Sequence, residues 1–245
     1  MANYPSLRAK RVLITGGATG IGQAIVKAFV EQGATVVFLD MNVAAGEALA
    51  RTLGCQFERC DVTDTASLQK QLSVLQTAGG FDVLVNNAAR DDRHHIEDVT
   101  PDFWDATIAV NIKHYFFIAQ ALIEGMKTRG GGAIVNISSE TAYTGHTELS
   151  VYGAAKGACL SLTRSQARHW GPHNIRVNAV VPGWVRTQRQ IDKWITPEGE
   201  AKQMEKQALK RWIEPIDIAN MVVFLASDEA KSCAAQVFTV DAGTH

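Results

Sequence analysis

The sequence predicts an α/β fold: a doubly wound parallel sheet of about seven strands flanked by helices, in one domain spanning residues 1–245. Three observations carry that reading. Short apolar runs alternate with longer amphipathic stretches, the pattern of βαβ units around a parallel sheet. A glycine-rich turn joins the first apolar run to the first amphipathic one. No repeat, linker or low-complexity stretch divides the 245 residues, a length that one core can serve.

The elements follow in order. Arg11 to Thr15 (RVLIT) reads as the first strand, and a helix runs from about Ile21 to Gln32. Ala34 to Leu39 (ATVVFL) is the second strand, followed by a helix from Val43 to Leu53 that Gly54 closes. A third strand lies near Gln56 to Arg59, a helix near Thr65 to Gln76, and a fourth strand at Phe81 to Val85 (FDVLV). Asp102 to Arg129 reads as one long helical stretch ended by Gly130-Gly131-Gly132, before a fifth strand at Ala133 to Ile137. Val151 to Trp170 is helical and closed by Gly171-Pro172, and Ile175 to Val180 is the sixth strand. Residues 184–212 are charged and Trp-rich with no strand signal, so they read as a helical lid. A short helix from Pro215 to Ser227 leads to the last strand, Val237 to Val240.

Composition excludes several function classes. The 24 Lys and Arg against 25 Asp and Glu give a net charge of −1, and the basic residues are scattered, which argues against a nucleic-acid footprint. The four cysteines, Cys55, Cys60, Cys159 and Cys233, show neither CxxC nor zinc spacing, so no metal site is expected and the thiols are expected to be reduced. The polar N-terminus lacks the apolar stretch of a signal peptide, and no later segment is uninterruptedly apolar over a bilayer's width. A cytoplasmic protein with no membrane or nucleic-acid partner is the expectation.

The turn Thr15-Gly16-Gly17-Ala18-Thr19-Gly20-Ile21-Gly22 sits between a strand and a helix, where glycines let the backbone approach a pyrophosphate stabilised by the helix N-terminus. Gly16, Thr19, Gly20, Ile21 and Gly22 are the candidate cofactor contacts of a Rossmann-like site. Asp40 ends the second strand, where a carboxylate can bind the adenosine ribose hydroxyls and repel a 2′-phosphate. No Lys or Arg lies in the turn or directly after Asp40, so NAD is favoured over NADP.

Tyr152 and Lys156 are four residues apart in an expected helix, hence on one face. A nearby ammonium can depress a phenol's pKa by roughly one to three units and make it a general base. Ser138-Ser139 follow a strand, at the edge where open α/β sheets put their ligands. With Asp61-Val62, Asn86-Asn87-Ala88-Ala89, Asn111 and Pro182-Gly183 in the same order, the whole chain resembles the short-chain dehydrogenase/reductase family. That resemblance implies a catalytic set of Asn111, Ser139, Tyr152 and Lys156. Tyr152 would exchange the substrate proton, Ser139 hold the substrate oxygen, Lys156 bind the nicotinamide ribose and lower the tyrosine pKa, and Asn111 support a water chain. It further implies that Asp61 and Val62 meet the adenine and that Asn87 with Ala88 meets the adenosine side. Pro182, Gly183, Val185 and Thr187 would cover the nicotinamide. Two positions depart from the family's glycines: Ala89, and Ala242 in Asp241-Ala242-Gly243.

For the substrate, the loop Arg90-Asp91-Asp92-Arg93-His94-His95 is polar where a sterol or acyl pocket would be apolar. Arg90, Glu140, His146 and Trp184 join Ser139 and Tyr152 as candidate substrate contacts. Stretches such as DDRH and TPEGEA resemble the D-xylose 1-dehydrogenase branch of the family, which implies oxidation of an aldose at its anomeric hydroxyl to a lactone. Alternatives are oxidation of a secondary hydroxyl of a 2-keto-3-deoxy sugar acid, with Arg90, Arg93 or Arg186 pairing its carboxylate, and a non-catalytic NAD-sensing protein. Reduction of acyl-carrier ketones fits poorly, as it usually employs NADPH. The family's habit of pairing the helices that carry Asn111 and Tyr152 implies a homotetramer or a dimer.

Overall fold

The structure is a computed structural model describing residues 2–245. β1 (Arg11–Thr15) pairs in parallel with β2 (Thr35–Asp40) on one side and β4 (Val83–Asn86) on the other. β3 (Gln56–Arg59), β5 (Gly132–Ile137), β6 (Ile175–Pro182) and β7 (Val237–Val240) complete a seven-stranded sheet in the order β3-β2-β1-β4-β5-β6-β7. Every pairing is parallel, as the expected alternation of strands and helices requires.

The strands are buried on both faces, and their period of two divides the core. Val12 and Ile14 point to one face, where α1 (Gly20–Glu31) adds Ile25, Val26 and Phe29, and α10 (Pro215–Ala226) adds Ile218, Val222 and Val223. Leu13 points to the other, where α3 (Thr65–Thr77) adds Leu68 and Leu72 and α5 (His114–Thr128) adds Ile118, Leu122 and Met126. Each such side chain contributes roughly 1.5–3 kcal/mol by leaving water. α2 (Val43–Leu53) lies before the edge strand β3 and ends at Gly54 in the left-handed conformation, as expected. Cys60 and Cys159 are buried, Cys55 and Cys233 half-buried, and all four are free thiols.

Three regions differ from the sequence reading. The expected helix over 102–129 is α4 (Pro101–Ile108), a π turn over Ala109–Lys113, then α5. The π turn coincides with Asn111, whose amide donates to Thr107 O at 2.9 Å and to Arg90 O at 3.0 Å. This composite helix, Pro101–Thr128, reaches a mean hydropathy of 1.3 over its most apolar window, so a span-length apolar helix does exist. By length and composition it could cross a bilayer, but 44% of that window is buried within the fold, as in a core helix. The region 184–212 is two short helices, α8 (Gln188–Lys193) and α9 (Pro197–Lys206), with residues 207–212 outside any helix. Each starts at a threonine whose hydroxyl accepts a backbone N–H, Thr187 from Gln190 and Thr196 from Gly199. Finally, the segment after β5 holds a four-residue helix, α6 (Thr141–Thr144), ahead of α7 (Ser150–Trp170).

The order reverses between β1 and β4. A crevice opens there, outside the carboxyl ends of the strands.

Candidate functional site

At the end of β1, Thr15 Oγ1 accepts the backbone N–H groups of Asn87 (2.9 Å) and Ala88 (3.0 Å). In return the Asn87 amide donates to Thr15 O (3.0 Å) and Gly16 O (2.9 Å), tying the β1 turn to the segment after β4. Gly16 and Gly20 hold φ of 66° and 56°, which side chains rarely adopt. A Cβ on Gly22 would lie 1.8 Å from Gly16 O, so the turn folds onto the first residues of α1 only without one. At Gly20, which lines the cleft, a Cβ would stand in ordinary contact with the Thr187 side chain, Cγ2 at 3.5 Å. Asp40 accepts Ala18 N on Oδ2 and Asn42 N on Oδ1, both at 2.9 Å. A carboxylate has about four lone-pair positions, so two remain for a ribose diol.

Gly16, Gly20, Gly22, Asp40, Asn87 and Ala88 line one cleft of about 2250 Å³, together with Thr19, Ile21, Asp61, Val62, Pro182, Gly183, Val185 and Thr187. The same cleft contains Ser139, Tyr152, Lys156, Arg90, Glu140, His146 and Trp184. A bare glycine-rich helix start, a carboxylate beyond the next strand and room for an extended ligand fit a dinucleotide. Asn111 is the exception among the expected residues: it is fully buried and does not line the cleft. Its Oδ1 accepts Arg90 N (3.0 Å) while its amide donates to Arg90 O, so it clamps the backbone of the loop after β4. Among the described residues no group of three or more His, Cys, Asp or Glu could hold a metal ion.

Ser138 and Ser139 follow β5, and the Ser138 hydroxyl donates to Lys156 O at 2.8 Å, fixing α7 against the strand end. Ser139 Oγ accepts Thr141 N at 3.2 Å, and its hydroxyl lies near enough to the Tyr152 phenol to favour the phenolate. Lys156 Nζ donates to Ile137 O (2.8 Å) and Tyr115 Oη (3.0 Å), and lies 5.6 Å from the centre of the Tyr152 ring. The expectation that Lys156 lowers the Tyr152 pKa is not expressed in this geometry. Burial, then the Asp91 carboxylate, pushes the phenol above its ordinary value, with the Ser139 hydroxyl opposing them. Burial brings Lys156 itself down to about 8.

The part of the cleft lined by Glu140, His146 and Trp184 is polar. Burial raises the Glu140 pKa, His245 opposing, and its Oε2 is buried without a hydrogen bond. The His146 ring accepts Glu148 N, and Trp184 Nε1 donates to Gln190 Oε1 at 2.9 Å. The three arginines considered for a substrate carboxylate each have an acidic neighbour. Arg90 pairs with Asp92 at 2.7 Å, Arg93 with Glu148 at 3.1 Å, and Arg186 lies 4.0 Å from Glu214. Sequence reasoning missed the ties between α8 and the loop after β4. Arg189 on α8 pairs with Asp91 at 2.9 Å and Asp92 at 3.4 Å, Gln190 donates to Asp91 at 2.8 Å, and Arg93 stacks 4.0 Å over Trp194. It also missed Tyr115, whose only signal is its place one helical turn beyond Asn111.

Comparison with known proteins agrees with this fold. A family model described as enoyl-(acyl carrier protein) reductase matches residues 16–245. The chain is 45% identical over 247 residues to a D-xylose 1-dehydrogenase of Caulobacter vibrioides, covering 99% of this chain and 98% of that one. It is 41% identical to a "probable galactose dehydrogenase" of Rhizobium meliloti, covering 99% and 97% respectively. The solved structure of a 3-oxoacyl-[acyl-carrier protein] reductase with bound NAD from Brucella melitensis superposes with a TM-score of 0.88 at 33% identity, over 98% of this chain and 92% of that one. The chain belongs to the short-chain dehydrogenase/reductase family, oxidoreductases that act on CH–OH groups with a nicotinamide cofactor.

Proposed function

We propose that the protein oxidises a sugar-type hydroxyl with NAD, the anomeric C1 hydroxyl of an aldose being converted to the lactone. The observation that carries this reading is the wall around Ser139 and Tyr152: Glu140, His146, Asp91 and Gln190 offer hydrogen bonds where an acyl or sterol substrate would need apolar contact. The likeness to D-xylose 1-dehydrogenase over almost the whole chain supports the same substrate class. NAD is favoured because Asp40 leaves its charge beside the glycine turn, where a 2′-phosphate would be repelled.

Bound NAD supplies the hydride acceptor; the chain supplies position and a base. Ser139 donates to the oxygen that is being oxidised, and Tyr152 Oη takes that hydroxyl's proton. Only the phenolate can take that proton, so the phenol's own proton must first leave to solvent; burial and Asp91 oppose this in the free protein, the Ser139 hydroxyl favours it, and the positive charge of bound NAD would favour it further. Lys156 holds a buried ammonium 5.6 Å from the centre of the phenol ring, and its remaining proton would go to the cofactor ribose. Asn111 positions Arg90 and the loop that ends in the lid's partners. Trp104 and Phe116, exposed on α4 and α5, support association into a dimer or tetramer.

NADH absorbance, with NAD and a panel of aldoses, polyols and aldonic acids, tests the reading. Turnover of one or two aldoses with lactone as product is expected, and Tyr152→Phe is expected to abolish it while NADH still binds. Turnover of acids alone would overturn the anomeric assignment and require an arginine to leave its acidic partner. Normal turnover by Tyr152→Phe would overturn the base.

A further inference from the structure

Lys156 is 1% exposed, and a buried ammonium costs several kcal/mol unless its protons are received. Two oxygens receive them, Ile137 O at 2.8 Å and Tyr115 Oη at 3.0 Å. Tyr115 is fully buried on α5, and its own hydroxyl hydrogen goes to Ile137 O at 2.9 Å. A closed triangle results: the carbonyl accepts from both partners, and the hydroxyl accepts from the lysine with its remaining lone pair. The ammonium also lies 5.2 Å from the centre of the Tyr115 ring, a favourable cation–π distance. Tyr115 does not itself reach the cleft, so it is no alternative base.

We propose that Tyr115 is a positioning residue for Lys156, its hydroxyl keeping the ammonium charged and fixed at the floor of the site. The proposal rests on the reading of Lys156 as the group that meets the cofactor ribose, and adds a residue that the reading does not need. It explains why a phenol stands where an apolar side chain would satisfy the packing between α5 and β5.

The groups facing the ammonium are few. α5 presents Tyr115 and His114, β5 presents the Ile137 carbonyl, and α7 presents Tyr152 and Cys159. Cys159 favours the charged lysine, and burial opposes it more strongly, so the lysine already titrates at about 8. Tyr115→Phe keeps the ring and removes one acceptor. Loss of a hydrogen bond to a charged group makes the lysine release its proton about one to two pH units lower. The sign is fixed: whatever needs the ammonium fails at lower pH in the variant.

The test is the pH dependence of NADH binding, read by fluorescence, and of kcat/KM, for the parent and Tyr115→Phe. In the variant both high-pH limbs are expected to move down by about one to two pH units, with binding restored on the acid side. Limbs at the parent's pH, whether or not a uniform loss accompanies them, would overturn the proposal. Because NADH binding needs no substrate, failure of the sugar reading leaves this arm intact and is told apart from failure of Tyr115.

Discussion

His114 on α5 is 1% exposed, and neither ring nitrogen makes a hydrogen bond. Its ring meets Tyr115 edge-on at 4.6 Å. Burial, reinforced by the Lys156 charge, lowers its pKa to about 3; Ala109's backbone opposes this slightly without a bond of normal geometry. An unfolded histidine titrates at about 6.5, so below that pH unfolding takes up a proton that the native state refuses. A depressed folded value gives stability that is present above the unfolded pKa and is lost as pH falls towards the folded one. The loss approaches about 1.4 kcal/mol per pH unit, and integrates to about 2.5 kcal/mol between about pH 6 and about pH 4. That figure hardly depends on the folded value while it stays below about 4. His114→Met is close in volume and cannot titrate, so it removes this term while every other acid-titrating group remains. Urea unfolding of both proteins, at one protein concentration, at successive pH values between about 7 and about 4, reads the difference. The variant's advantage is expected to grow by about 2.5 kcal/mol over the lower two units. Stability curves that stay parallel would refute the claim that His114 is held neutral in the native core.

Two further outcomes follow from the backbone around the cleft. Asp40→Asn keeps an acceptor oxygen for the glycine turn but removes the charge facing a 2′-phosphate, so the preference for NAD over NADP, measured as a ratio of Kd values, should fall about fivefold to tenfold; an unchanged ratio would place cofactor choice elsewhere. Ala242 holds φ of 57°, where a Cβ costs about 1–2 kcal/mol, so Ala242→Gly should stabilise by about 0.5–1 kcal/mol after the entropy that glycine adds to the unfolded chain. A thermal midpoint lower than the parent's would show that the conformation is not strained.

Elements governed by local chemistry were legible before any coordinates. Arg11 to Thr15 is a strand in both readings because its alternate residues are apolar on both faces. The α2 boundary falls at Leu53 because Gly54 adopts the left-handed conformation that ends a helix. The glycine turn after β1 and the placing of Tyr152 and Lys156 on one helix were legible too, since adjacency along one turn or one helix face needs no tertiary information. What was hidden depends on pairs far apart in sequence. The π turn at Asn111 keeps the apolar periodicity of a plain helix, and only the Arg90 backbone across from it shows why the turn widens. The phenol's shift has its sign from burial and from Asp91, neither of which the YxxxK spacing contains. Asp91 is also where α8 is fastened, by Arg189 and Gln190. One carboxylate thus acts on the candidate base and holds α8 in place. A polar loop read alone suggests sugar contacts; the same loop in place shows charges spent on one another, with Arg90 on Asp92 and Arg93 on Glu148. That pairing weighs against a substrate carboxylate, because an acid would have to displace a partner already seated, whereas a neutral sugar needs only the oxygens and amides left over.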